Sequence, residues 1–511
     1  MKSMTPNLTS QPAIQLIVLR TLIVLIATLA IGIQRLPIDP FNRLGELVSP
    51  LFVPKQPHCL STVLKPRQHS EQQNKTQMKQ VATCAEPNVS SVPVSFNQDE
   101  FVPVPIKVRP QPRNLLAGIW DQPVKITKNN FVNKSLSMWA CNLSLGCTHG
   151  CRFCYVPDTS TKFLAPQLAQ RGVGDPDREW GGYAFLRPWD EDEFLASLRT
   201  AENTPAKKLN RDGNRAVMFC TTTDPYQAFT GPNSADLNEQ QARMLQRALE
   251  LIRDHSTLNV RILTRSPLLR RDFDLLRTLG DRVMVGASIP TLDNTLARIY
   301  EPHAPAPTKR LETLQAAKNA GLNVFAALAP TYPECDAADL RRTMKALADI
   351  EPATLFMEPI NIRAENVDRI AAHAREVGRE LNVGVFATRD AWFSYSLEQL
   401  RLVQRLADEL GLAEQLHLWP DAGLEARSTF LRLRRERFIA AHGDARLTSA
   451  ARAIRDADDK AAYAEHVGWL RAWWNRVSEW PGTANPAPWT PPMLTAHPLT
   501  PPTLGQLEVG Q

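Results

Sequence analysis

With 511 residues, 43% hydrophobic and 22% charged, the chain has room for one barrel-sized domain with appendages, and its composition excludes a wholly disordered or polytopic membrane protein. Its net charge of +6 permits contact with nucleic acid without requiring it, and eight cysteines are too few for a disulfide scaffold. The 40 prolines crowd toward the two ends, so the ends and the middle read differently.

Residues 12–33, "PAIQLIVLRTLIVLIATLAIGI", are apolar apart from Gln15 and Arg20. The stretch reads as a transmembrane tether, a translated leader or, from Thr21 on, a signal-peptide core. Basic residues are commoner after it (Arg35, Arg43, Lys55) than before it (Lys2), which favours a cytoplasmic body, anchored if residues 1–35 are a tether. Residues 36–132 are rich in Pro, Gln and Asn with no sustained period, and read as a linker with little structure of its own.

From residue 133 the text changes. Nearly apolar runs at 135–143, 216–221, 259–264, 282–289, 323–330 and 353–360 predict strands buried on both faces. Amphipathic segments at 237–255, 268–280, 306–321 and 337–350 predict helices between them, with Gly280 and Gly321 at C-cap positions. Repetition of this βα unit predicts an α/β fold, a partial (β/α)6-type TIM barrel over 133–421. The runs at 382–387 and 415–420 are candidate late strands. Residues 422–480 form an Arg- and Trp-rich helical extension, and 481–511 a Pro-rich tail. Trp469, Trp473 and Trp474 sit at helical spacing and suit either docking on the barrel or stacking with nucleic acid.

"GCTHGCRFCYVP", residues 146–157, carries Cys147, Cys151 and Cys154 in a C-x3-C-x2-C spacing directly after the first predicted strand. On a barrel that is the C-terminal face, where chemistry is placed. Three thiols leave one coordination position open, whereas structural zinc closes all four. No fourth Cys or His follows at ribbon or finger spacing, and His149 inside the loop reads as a loop-shaping hydrogen-bond donor. A [4Fe-4S] cluster on these thiols keeps one iron free. The other cysteines, Cys59, Cys84, Cys141, Cys220 and Cys335, show no ligand spacing; Cys141 and Cys220 read as core thiols of the first and second strands.

The spacing after a first βα strand resembles that of radical S-adenosylmethionine (SAM) enzymes. The string Gly146 to Tyr155, with "TTTDPYQ" (221–227), "ILTRS" (262–266) and the stretch 299–333, is similar to the branch of spore photoproduct lyase and its DNA-repair-photolyase-like relatives. The resemblance spans residues 134–360. It implies [4Fe-4S] and SAM as cofactors, reductive cleavage of SAM, hydrogen abstraction from substrate and an external flavodoxin- or ferredoxin-like electron donor. It further implies lyase-type repair of a thymine photoproduct, with DNA as partner. The alternatives are RNA, a peptide or a small metabolite as substrate, or an iron-sulfur protein that carries electrons without SAM turnover.

The resemblance also suggests roles for single residues. The hydroxyls of Thr222 and Thr223 and the carboxylate of Asp224 suit the SAM ammonium. Arg265, where the branch has Lys, suits the SAM carboxylate. Phe153 stands where an aromatic meets adenine, Tyr155 packs beside the cluster, and Ser288 reaches the ribose. Cys220 lies about one residue from the register of the branch's hydrogen-donor cysteine. Glu301 and Glu358, each followed by Pro, face the substrate or form structural ion pairs.

Overall fold

The computed structural model describes residues 115–129, 136–210, 214–442, 457–479, 489–494 and 499, all within the compact unit Pro103–Gln511. The apolar segment 1–35, Cys59, Cys84, most of the 36–132 stretch and most of the tail lie outside the described residues.

Among the described residues eleven strands follow in chain order: β1 (Leu116–Ile119), β2 (Ile126–Lys128), β3 (Trp139–Cys141), β4 (Ser144–Gly146), β5 (Tyr183–Leu186), β6 (Ala216–Phe219), β7 (Asn259–Thr264), β8 (Val283–Ser288), β9 (Asn323–Thr331), β10 (Thr354–Pro359) and β11 (Leu416–Leu418). An eight-stranded sheet has the order β11-β10-β9-β8-β7-β6-β3-β2. Every neighbouring pair in it is parallel except β2 with β3. From β6 to β11, strands adjacent in this sheet follow one another along the chain and are joined by helical crossovers, the order of an open, partial βα barrel.

Alternation along β7 shows why these runs are apolar throughout. Val260 and Ile262 join the outer core beneath the helices, while Leu263 packs on the inner cluster of Met284, Phe325 and Phe356. Each such side chain contributes about 1.5–3 kcal/mol when fully buried. At Gly286 a Cβ would fall 2.4 Å from the Phe325 ring, so the absence of a side chain on β8 makes room for that phenyl group.

Helix ends follow their sequence signals. Asp190, Asp336 and Thr388 each accept from a main-chain amide three residues on, at Glu193, Asp339 and Ala391. The Pro307–Asn319 helix ends with Leu322 N–H bonded to Ala317 O at 3.1 Å and Gly321 in the left-handed region, a Schellman closure.

Several elements differ from expectation. Two strands, β1 and β2, lie inside the stretch read as linker, and β1 joins a second sheet of order β1-β5-β4. These runs span only three or four residues, too few to show a period. The helix expected at 268–280 is a 3-10 segment, Pro267–Asp272, followed by a short α-helix, Phe273–Arg277. Buried Asp272 accepts from Gln246 at 2.6 Å, which ties the middle of the segment to the Ser234–His255 helix. The run at 382–387 is a 3-10 turn, Val383–Phe386, with Val383 exposed; the run at 415–420 does form β11. In the extension, Trp469 and Trp473 are buried, and Trp469 Nε1 donates to Gln404 Oε1 at 2.8 Å on the Arg389–Glu409 helix. Trp474 Nε1 donates to Pro420 O at 2.9 Å, so these tryptophans dock on the fold. Among the described residues no helix is long and apolar enough to cross a membrane.

Candidate functional site

The cysteine loop does not leave β3 directly, because β4 is interposed and pairs antiparallel with β5. Glycine fixes the path of the loop. Gly146 has φ +82°, and a Cβ there would meet Tyr183 O at 2.4 Å. Gly150 (φ +58°) crosses Gly181 so closely that a Cβ on Gly181 would lie 2.5 Å from Gly150 Cα.

The first half of the loop is held from the turn after β6. Thr223 Oγ1 donates to Gly146 O at 2.7 Å, and Thr148 N–H donates to Gln227 Oε1 at 2.7 Å. Gln227 Nε2 in turn donates to Thr223 Oγ1 at 2.9 Å. The second half is held from elsewhere: Arg152 N–H donates to Tyr300 O at 2.8 Å, and Arg369 and Asn366 bond its carbonyls.

Cys147 and Cys151 are buried and Cys154 half-buried. Burial pushes each thiol up to about 12, and the charges of neighbouring thiols on the loop act in the same direction. The Arg265 guanidinium opposes this at all three, so one cation faces the whole set. Among the described residues no three His, Cys, Asp or Glu side chains converge on a single metal ion, these thiols included. A cubane takes each thiolate on a different iron, so spaced thiols under a common positive field fit a cluster better than a mononuclear ion.

Arg265 follows β7. Its Nε donates to Glu301 Oε1 at 2.8 Å, and its guanidinium lies 5.7 Å from the centre of the Phe153 ring. Its terminal nitrogens meet no hydrogen-bond acceptor among the described residues. Glu301 is fully buried and also pairs with Arg310 Nη2. Burial raises its carboxyl, but the Arg310 and Arg265 charges outweigh that and hold it below the usual range. Of the two roles read for Glu301, the geometry has the ion pair. Glu358 accepts from Asn361 Nδ2 at 2.8 Å.

Asp224 is occupied within the fold. Its Oδ1 accepts from Tyr226 N–H at 2.9 Å and from Thr264 Oγ1 at 2.7 Å, and its Oδ2 accepts from Arg265 N–H at 2.8 Å. His149 Nδ1 stands 3.4 Å from Oδ2; burial lowers the pKa of this ring and favours its neutral form. Asp224 thus ties β6 to β7 and to the loop. Ser288 is similarly engaged, its hydroxyl donating to Ala329 O at 2.7 Å. Thr222 is half-buried, with its N–H on Asn142 Oδ1 at 3.0 Å. Tyr155 packs beside Cys154, and its hydroxyl donates to Thr221 O at 2.8 Å. Phe153 lies 5.9 Å from the Tyr332 ring.

Cys220 sits where β6 leaves the sheet. Its φ is 60°, unusual for a residue with a side chain and costing about 1–3 kcal/mol. Its N–H donates to Cys141 O at 2.8 Å, and burial pushes its thiol well above the ordinary value. The thiol therefore keeps its hydrogen.

Sequence reasoning missed Arg369, Asn366 and the anchoring role of Gln227. Gln227 was visible in the "TTTDPYQ" string; the other two have no local signal. A cavity of about 900 Å³ opens at the opposite end of the strands, lined by Lys318, Asn323, Gln415 and Trp489. It lacks thiols, so the chemistry and not the size of a cavity locates the site.

A model of the radical SAM superfamily matches residues 141–347. A protein of Acidianus two-tailed virus, described as uncharacterized, is 36% identical over 258 residues, covering 49% of this chain and 77% of that one. An uncharacterized protein of Methanocaldococcus jannaschii is 21% identical over 266 residues, covering 52% and 85%. Among solved structures, spore photoproduct lyase complexed with dinucleoside spore photoproduct aligns at a TM-score of 0.42 and 14% identity, covering 59% of this chain and 80% of that one.

Proposed function

This chain belongs to the radical SAM superfamily, and from that premise we propose that Cys147, Cys151 and Cys154 hold its [4Fe-4S] cluster and that it repairs a thymine photoproduct in DNA as a lyase. The observation that carries the cluster assignment is the set of three thiols on one loop, all under the field of Arg265. When bound, the cluster and SAM supply a 5′-deoxyadenosyl radical that takes a hydrogen atom from the substrate. The superfamily needs an external one-electron donor to start that chemistry.

The chain's own residues provide position and electrostatics. Arg265 offers its terminal nitrogens to the SAM carboxylate, with Glu301 and Arg310 fixing its direction. Thr222 and the carbonyls at the end of β6 receive the ammonium, while Thr223 and Asp224 hold the wall behind them. Phe153 offers a ring face to adenine beside Arg265, Tyr155 closes the cluster side, and Ser288 keeps the ribose edge of β8 in register with β9. Cys220, protonated because it is buried, is the chain's candidate for returning a hydrogen atom to the product radical.

The substrate rests on the likeness of "TTTDPYQ", "ILTRS" and 299–333 to the photoproduct-lyase branch. Incubating reconstituted protein with SAM, dithionite and DNA carrying the spore photoproduct tests it. Restored thymine, quantified by mass spectrometry, is the expected result. Formation of 5′-deoxyadenosine with the photoproduct untouched contradicts the substrate and turns attention to RNA, peptides or small metabolites.

A further inference from the structure

We propose that Arg369 and Asn366, on the Asn366–Glu376 helix, are positioning residues that clamp the second half of the cysteine loop, and that the charge of Arg369 also raises the reduction potential of the cluster; this rests on the ligand assignment above. Arg369 Nε donates to Arg152 O at 3.1 Å and its Nη2 to Cys154 O at 2.8 Å. Between them, Asn366 Nδ2 donates to Phe153 O at 3.3 Å. Three consecutive carbonyls therefore face one helix, and they belong to the segment that joins Cys151 to Cys154.

A trans peptide holds its N–H opposite its C=O, so pinning these carbonyls also fixes the amides. The Cys154 N–H closes a turn onto Cys151 O at 3.1 Å, and the Phe153 and Tyr155 N–H groups, trans to the Arg152 and Cys154 carbonyls that Arg369 holds, are directed away from those bonds. With the peptides unable to rotate, the separation of the two thiols is set before any iron arrives. This is the work that ligand-orienting outer residues perform in metal sites.

The clamp is itself anchored. Arg369 is 7% exposed, and its remaining terminal nitrogen pairs with Asp177. Asn366 Oδ1 accepts from Arg363 N–H at 3.0 Å, and its Nδ2 also donates to Asn361 O at 2.6 Å. The Arg369 guanidinium is buried and donates to the Cys154 carbonyl itself, so its charge lies against the ligand segment with little screening by salt. Reduction adds negative charge to the cluster, so the same cation favours the reduced form. The helix lies outside the matched range 141–347, so the clamp is a feature of this chain beyond that match.

The test compares wild type, R369Q, R369K and N366A after anaerobic reconstitution, without substrate. The readouts are iron per chain, the rate of cluster loss to a chelator, the midpoint potential by EPR-monitored titration, and thermal unfolding of the apoproteins. R369Q is expected to lose its cluster about tenfold faster and to shift its midpoint negative, by up to ~59 mV for a tenfold change in a one-electron equilibrium. R369K keeps the charge but loses the fork, so faster loss with little change of midpoint is expected. N366A, a neutral change, should retain iron less well at an unchanged midpoint, and it carries the positioning test should R369Q fail to fold. An unmoved midpoint in R369Q, or wild-type retention of iron in R369Q and N366A alike, overturns the proposal. A wild type that binds no cluster contradicts the ligand assignment instead.

Discussion

In the first half of the cysteine loop, glycine backbone and two side chains from the turn after β6 fix the path; in the second half, a helix 217 residues beyond Arg152 does so with a guanidinium and an amide. The first arrangement depends on close approach of main chain to main chain, which no added side-chain atom can share. The second depends on hydrogen bonds across a gap, which a substitution weakens by degrees. Arg265 and Glu301 stand beside the loop and supply the charge that its thiols feel. The difference teaches that a loop can be made rigid by exclusion of volume on one side and remain electrostatically adjustable on the other.

The largest effect is expected where exclusion of volume is broken. Gly146→Ala places a methyl group 2.4 Å from Tyr183 O in a left-handed backbone. Strain of about 1–3 kcal/mol for the backbone alone, plus the clash, should displace β4 and leave the protein nearly iron-free in a colorimetric iron assay.

Next comes the charge pair. Glu301→Gln leaves Arg265 and Arg310 without their common anion, and breaking a buried pair costs about 3–5 kcal/mol. The folded pKa of Glu301 is depressed, so its contribution is fully present above the unfolded carboxylate value of about 4.3 and is lost as pH falls through the folded value. The stability gap between wild type and variant, measured by denaturant unfolding, should be widest near pH 7 and narrow on acidification below about pH 4. A gap independent of pH contradicts the ion-pair account.

Smaller changes sharpen the comparison. Gln227→Ala removes the acceptor of the buried Thr148 N–H, an expected loss of about 1–3 kcal/mol read by urea denaturation of the apoprotein. Asn366→Ala removes the 3.3 Å bond to Phe153 O together with the bonds to Asn361 O and from Arg363 N–H, an expected loss of about 1–3 kcal/mol on the same measurement.

The parts of this design legible in the sequence are those written locally. β7 falls at the six residues expected, and β8 differs by one residue at each end, because strands buried on both faces are unbroken apolar runs. β4 and β5 escape notice because "SLG" and "YAFL" are too short to separate from loop. The false strand at 382–387 shows the converse: "VGVF" has strand composition but tops a helix start with Val383 exposed. In the site, the thiols, Asp224 and Arg265 were marked by short strings. Asp224 proved to be filled by Tyr226, Thr264 and Arg265, because a carboxylate at a strand end is claimed first by the nearest main-chain donors. Arg369 is one arginine in an ordinary amphipathic helix, and only the packing of that helix against the loop reveals its use.

The most direct measurement is 5′-deoxyadenosine formed from SAM by anaerobically reconstituted protein with dithionite, beside Cys151→Ala, quantified by mass spectrometry in the presence of photoproduct DNA. The account predicts product from the intact protein and none from the variant. Equal product from both, or none from an intact protein that carries its cluster, would contradict it.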